Sequence, residues 1–220
     1  MTIRLLPQGV VNRIAAGEVV ERPASTVKEL VENAIDAGAR RIEVAIRGGG
    51  QGLISVSDDG SGMTAEELVL AVQRHATSKL PGDDLTNIQS LGFRGEALPA
   101  IAAVSRLTIT SRTHGADSAW SLTVEGGVGG APKPAAHPPG TRVEVKDLFY
   151  ATPARLKFLK AERTELHHAV DAVNRLAMAQ PSIAFTLTDG ARSVVKLTVA
   201  DRALLEARLA RLAQIMGREF

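Results

Sequence analysis

The sequence predicts an α/β (α+β) two-layer sandwich, with helices on one face of a mixed, largely antiparallel sheet. Three observations predict it. RIEVAIR (Arg41–Arg47) and LISVSD (Leu53–Asp58) alternate in hydropathy on either side of GGGQG, the pattern of a hairpin. VKELVENAIDAG (Val27 to Gly38), wound at about 100° per residue, gathers Val27, Leu30, Val31, Ala34, Ala37 and, at the margin, Ile35 on one broad face. Further strand-like and helix-like segments then interleave to the end of the chain.

The elements follow in order. LLPQGVVNRIAAGEVVERP combines a short amphipathic helix, about Gln8 to Ala16, with a Gly-containing connection. Pro23 opens the next helix and Gly38 closes it, the usual asymmetry of helix ends. DDGSGM is a tight turn after the second strand, and Thr64, Glu66 and Glu67 cap a helix running to about His75. Ala76 to Leu91 has no steady period and reads as a loop of a length often used for functional lids. GFRGEALPAIAAV resumes as helix, and RLTITSR and AWSLTV are strands. GGVGGAPKPAAHPPG reads as a polar loop, and TRVEVKDLF as a strand. A helix from about Arg163 to Ala179 is stopped by Pro181. IAFTLT and VVKLTV are strands, and DRALLEARLARLAQIM is a last amphipathic helix. There is no internal repeat, and the ending GREF reads as the start of something continued.

Composition narrows the function classes. The 220 residues suffice for one large domain or one and a half. Aromatics are only 3%, so the core must be Leu, Val, Ile and Ala. A net charge of +2 does not by itself argue for nucleic acid. Without cysteine there are no disulfides or thiolate zinc sites. No secretory h-region opens the chain and no apolar run approaches the ~20 residues of a bilayer span, so the expected location is cytoplasmic, away from membranes.

The polar side of the helix at Val27 to Gly38 carries Glu29, Glu32, Asn33 and Asp36, with Lys28 off to the side. Glu32 and Asp36 are like charges at i,i+4, an unfavourable pair on a solvated helix. A poorly paired surface is the plainer reading. In the functional one, the Asn33 amide oxygen is a hard ligand suited to Mg²⁺, and Glu29, one turn earlier, orients or deprotonates a water attacking a phosphate. SVSDDGSGM ends a strand in Asp58, with Gly60 and Gly62 following. This is ordinary turn chemistry, yet it would also let a flat ligand reach the backbone while Asp58 accepts from an exocyclic amine such as adenine's.

In LGFRGEAL, Gly92 and Gly95 bracket a helix start, either a plain junction or a phosphate-binding N-terminus. Thr77, Ser78 and Lys79 of RHATSK could reach a phosphate or its Mg²⁺ shell. Gly140-Thr141 opens a strand, either as a hairpin start or as a hydroxyl beside a base-binding Asp. Arg155, Lys157, Lys160 and Arg163 form a basic cluster, equally a solvated face or a groove for DNA. Without interleaved aromatics, any DNA binding is expected to be nearly sequence-blind. No P-loop, G-x-G-x-x-G turn, zinc spacing or hydrolase elbow occurs.

The order of these motifs resembles the GHKL, or Bergerat-type, ATPases, which join gyrase, the heat-shock chaperone, histidine kinase and MutL. Within that group IAAGEVVERPASTVKELVENAIDAGA, RHATSK, LGFRGEAL and DLFYATPARLKFLK resemble the MutL mismatch-repair family, and the similarity covers essentially the whole chain. The resemblance implies a Bergerat ATP-binding fold with ATP and Mg²⁺ as ligands. Glu29 would be the general base and Asn33 the metal ligand. Asp58, with Thr141 and a water, would hold adenine in a pocket shaped by Gly60, Gly62 and Met63. Thr77, Ser78, Lys79 and the Gly92, Phe93, Arg94, Gly95 and Glu96 backbone would hold the phosphates.

The resemblance also divides the chain into a dimerisation arm (residues 1–20), an ATPase domain (21–200) and a terminal helix beginning a second domain (201–220). It implies an ATP-driven homodimer, further joined through an absent C-terminal domain, that works with a mismatch-recognition protein, downstream repair enzymes and DNA. The family's second domain supplies a lysine to the γ-phosphate. Slow or impaired turnover is therefore expected of this length of chain, and one alternative is a fragment that binds nucleotide without significant turnover. The other is a gyrase-like or chaperone relative.

Overall fold

The computed structural model describes residues 3–77, 79, 91, 95–199 and 203–217. The expected lid segment lies almost wholly outside these, as do Ser78, Gly92, Phe93 and Arg94.

Among the described residues the chain runs α1 (Gln8–Val19), α2 (Pro23–Asp36), β1 (Arg41–Arg47), β2 (Leu53–Asp58), α3 (Ala65–Ala71), α4 (Ala97–Val104), β3 (Arg106–Arg112) and β4 (Ala119–Glu125). It continues through β5 (Val128–Gly129), β6 (Lys133–Ala135), β7 (Gly140–Lys146), α5 (Glu162–Ala179), β8 (Ala184–Asp189), β9 (Arg192–Leu197) and α6 (Leu204–Met216). The strands form one sheet, ordered β5-β4-β3-β7-β2-β1-β8-β9, with β6 also on β4. Every pair is antiparallel except β1 with β8.

Period-two alternation decides which way the sheet faces. Ile42, Val44 and Ile46 of β1, Ile54 and Val56 of β2, Leu107 and Ile109 of β3, and Val143 and Val145 of β7 are all buried. In register they make cross-strand rows: Val44–Val56–Val143–Ile109, then Ile46–Ile54–Val145–Leu107. The helical layer covers these rows, with α2 against α5 and α1 against α4. On α2 the buried Val27, Leu30, Val31 and Ala34 are the expected apolar face.

Several elements depart from expectation. α1 continues to Val19, and Arg155 meets its end. The Arg155 guanidinium donates to the Gly17 and Val20 carbonyls at 3.0 and 2.9 Å, oxygens left open at a helix C-terminus. α3 stops at Ala71 rather than about His75: Val72 and Gln73 N–H turn to Leu70 O in place of the helical ladder, and His75, at a left-handed φ of 66°, gives its N–H to Gly95 O. The Thr64 capping box is present at its start. α4 begins only at Ala97.

The Pro/Gly-rich loop contains the short edge strands β5 and β6, with Pro134 opposite Trp120. β7 ends at Lys146, because positive φ at Asp147 and Phe149 turns the chain inward and buries Leu148 and Phe149. α6 is held by Arg211, a buried guanidinium that donates to the Ala177, Gln180, Pro181, Ile183 and Thr198 carbonyls. No helix among the described residues is long and apolar enough to cross a membrane.

Candidate active site

At one end of the sheet the apolar rows give way to a polar one. Asp58 on β2 lies opposite Thr141 on β7, which lies opposite Ser111 on β3. All three occupy the parity that faces the helices. Above this row α2 presents its polar side. The plainer reading of a solvated face fails here, because Glu32 is buried and Glu29, Asn33 and Asp36 are half-buried. Between sheet and helix lies a cavity of about 1500 Å³.

Of the residues singled out in the sequence, Glu29, Asn33, Asp58, Gly62, Met63, Thr77, Lys79, Gly95, Glu96 and Thr141 line this cavity. Gly60 stands behind it. A β-carbon there would come within 2.8 Å of the Ala37 side chain and carbonyl, so the Asp58–Met63 turn can close on the end of α2 only with glycine. Ser61 N–H bonds Ala37 O across the same contact at 2.9 Å. Gly62, at φ 71°, would place a β-carbon 2.1 Å from Arg112 O. Asp59 fixes the other side, accepting from the Arg40 and Arg41 N–H groups at 2.7 and 2.8 Å.

The α2 face is not left unpaired. Lys28, expected off to the side, reaches Glu32 at 2.9 Å and Glu29 at 3.2 Å. Burial pulls its ammonium down, but the two carboxylates more than offset this and its pKa stands above the ordinary lysine value. Lys79 Nζ lies 2.9 Å from Asn33 Oδ1 and 2.5 Å from Asp36 Oδ2. The Asn33 oxygen proposed for a metal ion thus already faces a cation. Asp36 also accepts from Leu91 N–H at 3.1 Å.

Asp58 accepts from Gly60 N–H at 2.9 Å. Burial pushes its carboxyl up to about 6, outweighing the backbone hydrogen bonds from Gly60 and Thr141 that favour the ionised form. A half-desolvated carboxylate at the floor of a cavity is suited to a neutral donor such as an amine. The wall opposite offers a carboxylate and an amide one helical turn apart, near an ammonium, which suits a polyanion with its metal.

The basic cluster lies elsewhere. Arg155 is turned onto α1 and stands 5.5 Å from the Phe149 ring centroid, so it does not face solvent as expected. Lys157, Lys160 and Arg163 are exposed. Ser111 escaped the reading of the sequence, although RLTITSR carries its signal. After Leu107 and Ile109, the third inward position is a hydroxyl.

Residues 21–128 match the family of histidine kinase-, DNA gyrase B- and HSP90-like ATPases. A solved structure titled as the Aquifex aeolicus MutL ATPase domain complexed with ADP superposes with a TM-score of 0.74 and 32% identity, covering 90% of this chain and 70% of that one. This chain belongs to the MutL family. The MutL proteins of Rhodospirillum rubrum and Paramagnetospirillum magneticum are 69% and 68% identical over all 220 residues. The chain spans about a third of their length, 35% and 36%. MutL membership identifies the fold as that of the GHKL ATPases and decides against a gyrase-like or chaperone relative.

Proposed function

We propose that the chain binds ATP with Mg²⁺ in this cavity and hydrolyses it slowly, as the ATPase part of a DNA mismatch-repair clamp. The observation that carries the reading is the facing of two walls across one cavity: Asp58 and Thr141 on the sheet, Glu29 and Asn33 on α2.

In this reading adenine donates its exocyclic amine to Asp58, on a floor formed by Val56 and Val143 and closed by Met63. The triphosphate runs toward Lys79, Thr77 and the Gly95–Glu96 backbone. Asn33 Oδ1 fits Mg²⁺ chemically, being a hard oxygen already engaged by an ammonium cation. When bound, the ion neutralises phosphate charge. Lys79 then moves its ammonium from Asn33 to the phosphates, and Glu29 takes the proton of a water aimed at the terminal phosphorus.

The whole protein's partners belong to the same proposal. They are a second copy joined through residues 1–20, a mismatch-recognition protein, downstream repair enzymes, and DNA bound without regard to sequence.

Binding and turnover separate the reading from a nucleotide-binding fragment without significant turnover. Glu29→Gln is expected to lower kcat by about 10²- to 10⁴-fold while leaving affinity for a non-hydrolysable ATP analogue nearly unchanged. Asn33→Ala is expected to abolish the Mg²⁺-dependent part of that affinity. Equal hydrolysis by wild type and Glu29→Gln would remove Glu29 as the base. Absence of analogue binding by the wild-type chain would remove the site.

A further inference from the structure

Glu29 Oε1 accepts from Lys28 Nζ at 3.2 Å, and among the described residues Oε2 has no hydrogen-bond partner. The same ammonium donates to Glu32 Oε2 at 2.9 Å. Glu32 is buried, Lys28 and Glu29 are partly exposed, and all three line the cavity.

The two contacts differ in kind. Lys28 and Glu32 stand at i,i+4, an ordinary pairing distance on a helix. Lys28 and Glu29 are neighbours in sequence, and such side chains leave a helix about 100° apart without facing each other. Their contact forms because both side chains bend around the helix to meet. Glu32 anchors the ammonium, since a buried carboxylate holds its counter-charge closely. Glu29 is then tethered to that anchored charge by one oxygen.

A free glutamate side chain samples several rotamers, and ordering it costs entropy. A tether at Oε1 meets that cost before substrate arrives and leaves Oε2 open to a water. The two carboxylates share one ammonium, so Glu29 is oriented without being matched charge for charge.

We infer that Lys28 is a positioning residue for hydrolysis: anchored on Glu32, it holds Glu29 by Oε1 and so presents Oε2 to the attacking water. The inference rests on the reading of Glu29 as the base. In that step the water oxygen bonds to the terminal phosphorus and a water proton passes to Oε2. The bond from that phosphorus to its bridging oxygen breaks, and the electron pair leaves with ADP. Lys28 touches none of the reacting atoms and exchanges no proton.

The test is single-turnover ATP hydrolysis with protein in excess, beside equilibrium binding of a non-hydrolysable ATP analogue. Lys28→Met and Lys28→Arg are compared in the wild-type chain and in Glu29→Gln. Lys28→Met is expected to slow hydrolysis about tenfold, a modest share of what a misplaced reacting group costs, with analogue affinity unchanged. Lys28→Arg retains a donor for each carboxylate and is expected to recover most of the rate. In Glu29→Gln, Lys28→Met is expected to change nothing, because no base remains to be oriented.

A lysine that only stabilises α2 would lower the melting temperature and leave the rate of the folded protein as it was, and that result overturns the inference. A lysine that contacts the phosphates would weaken analogue binding in both backgrounds, which overturns it equally. So does slowing of the same size in both backgrounds. If Glu29→Gln hydrolyses ATP at the wild-type rate, the reading of Glu29 as the base falls. If Glu29→Gln is slowed and Lys28→Met is not, only the role of Lys28 falls.

Discussion

Asp58 carries the sharpest conflict at the scale of single residues. With its carboxyl raised to about 6, the folded chain binds more protons than the unfolded one between about pH 4 and pH 6. Stability from this group therefore falls as pH rises through that window, and the loss is complete above it. A shift of this size corresponds to roughly 2–3 kcal/mol. Asp58→Asn, which keeps the shape and an acceptor oxygen, is expected to raise the melting temperature of the protein without added nucleotide at pH 7.5. That gain should vanish below about pH 4. Nucleotide affinity in the wild type should move the other way, strengthening from pH 5 to pH 7 as the acceptor ionises. Parallel melting curves for the two proteins at every pH would contradict the assignment.

At the scale of elements, α1 is tied down by a side chain from a distant turn. Arg155→Met removes two charge-assisted hydrogen bonds to the end of α1 and leaves those carbonyls to water. The expected loss is on the order of 1.5–3 kcal/mol in denaturant unfolding, with faster amide exchange confined to α1. Unchanged exchange in α1 would mean that the contact does not hold the helix.

The elements also divide by what the sequence made legible. β1 and β2 could be read to their end residues, because one covered face imposes a strict period of two on RIEVAIR and LISVSD. Glu29 and Asn33 could be singled out because acids of like charge gathered on one helix face break a local rule, and Asp58 because it ends a strand just before Gly60 and Gly62. Arg155 was misjudged because its partners, Gly17 and Val20, are backbone carbonyls far away in sequence, and nothing in TPARLKFLK marks them. Lys28 was misjudged although Glu32 stands at i,i+4 from it, the spacing at which a helix pairs opposite charges. β5 and β6 lack alternation, and at the sheet edge a proline such as Pro134 costs little.

Across the whole molecule, Lys157, Lys160 and Arg163 are what remains of the basic cluster once Arg155 is occupied. If this face takes DNA, reversing Lys157 and Lys160 to Glu should weaken binding uniformly across sequences. It should also flatten the dependence of log affinity on log salt by nearly one for each phosphate contact removed. Unchanged affinity would remove DNA from this surface.

The single parallel pairing has a kinetic meaning. β1 is an interior strand of the sheet, between β2, its immediate successor, and β8, which begins at Ala184. The hairpin can form from local contacts as soon as Asp58 has been made, but its other edge waits for β8, a partner distant in sequence. The strand that follows α2 therefore stays open on one side until β8 has been made. Completion of the sheet beside β1 is coupled to the making of β8, and a chain cut before β8 would present β1 as a free edge inviting self-association.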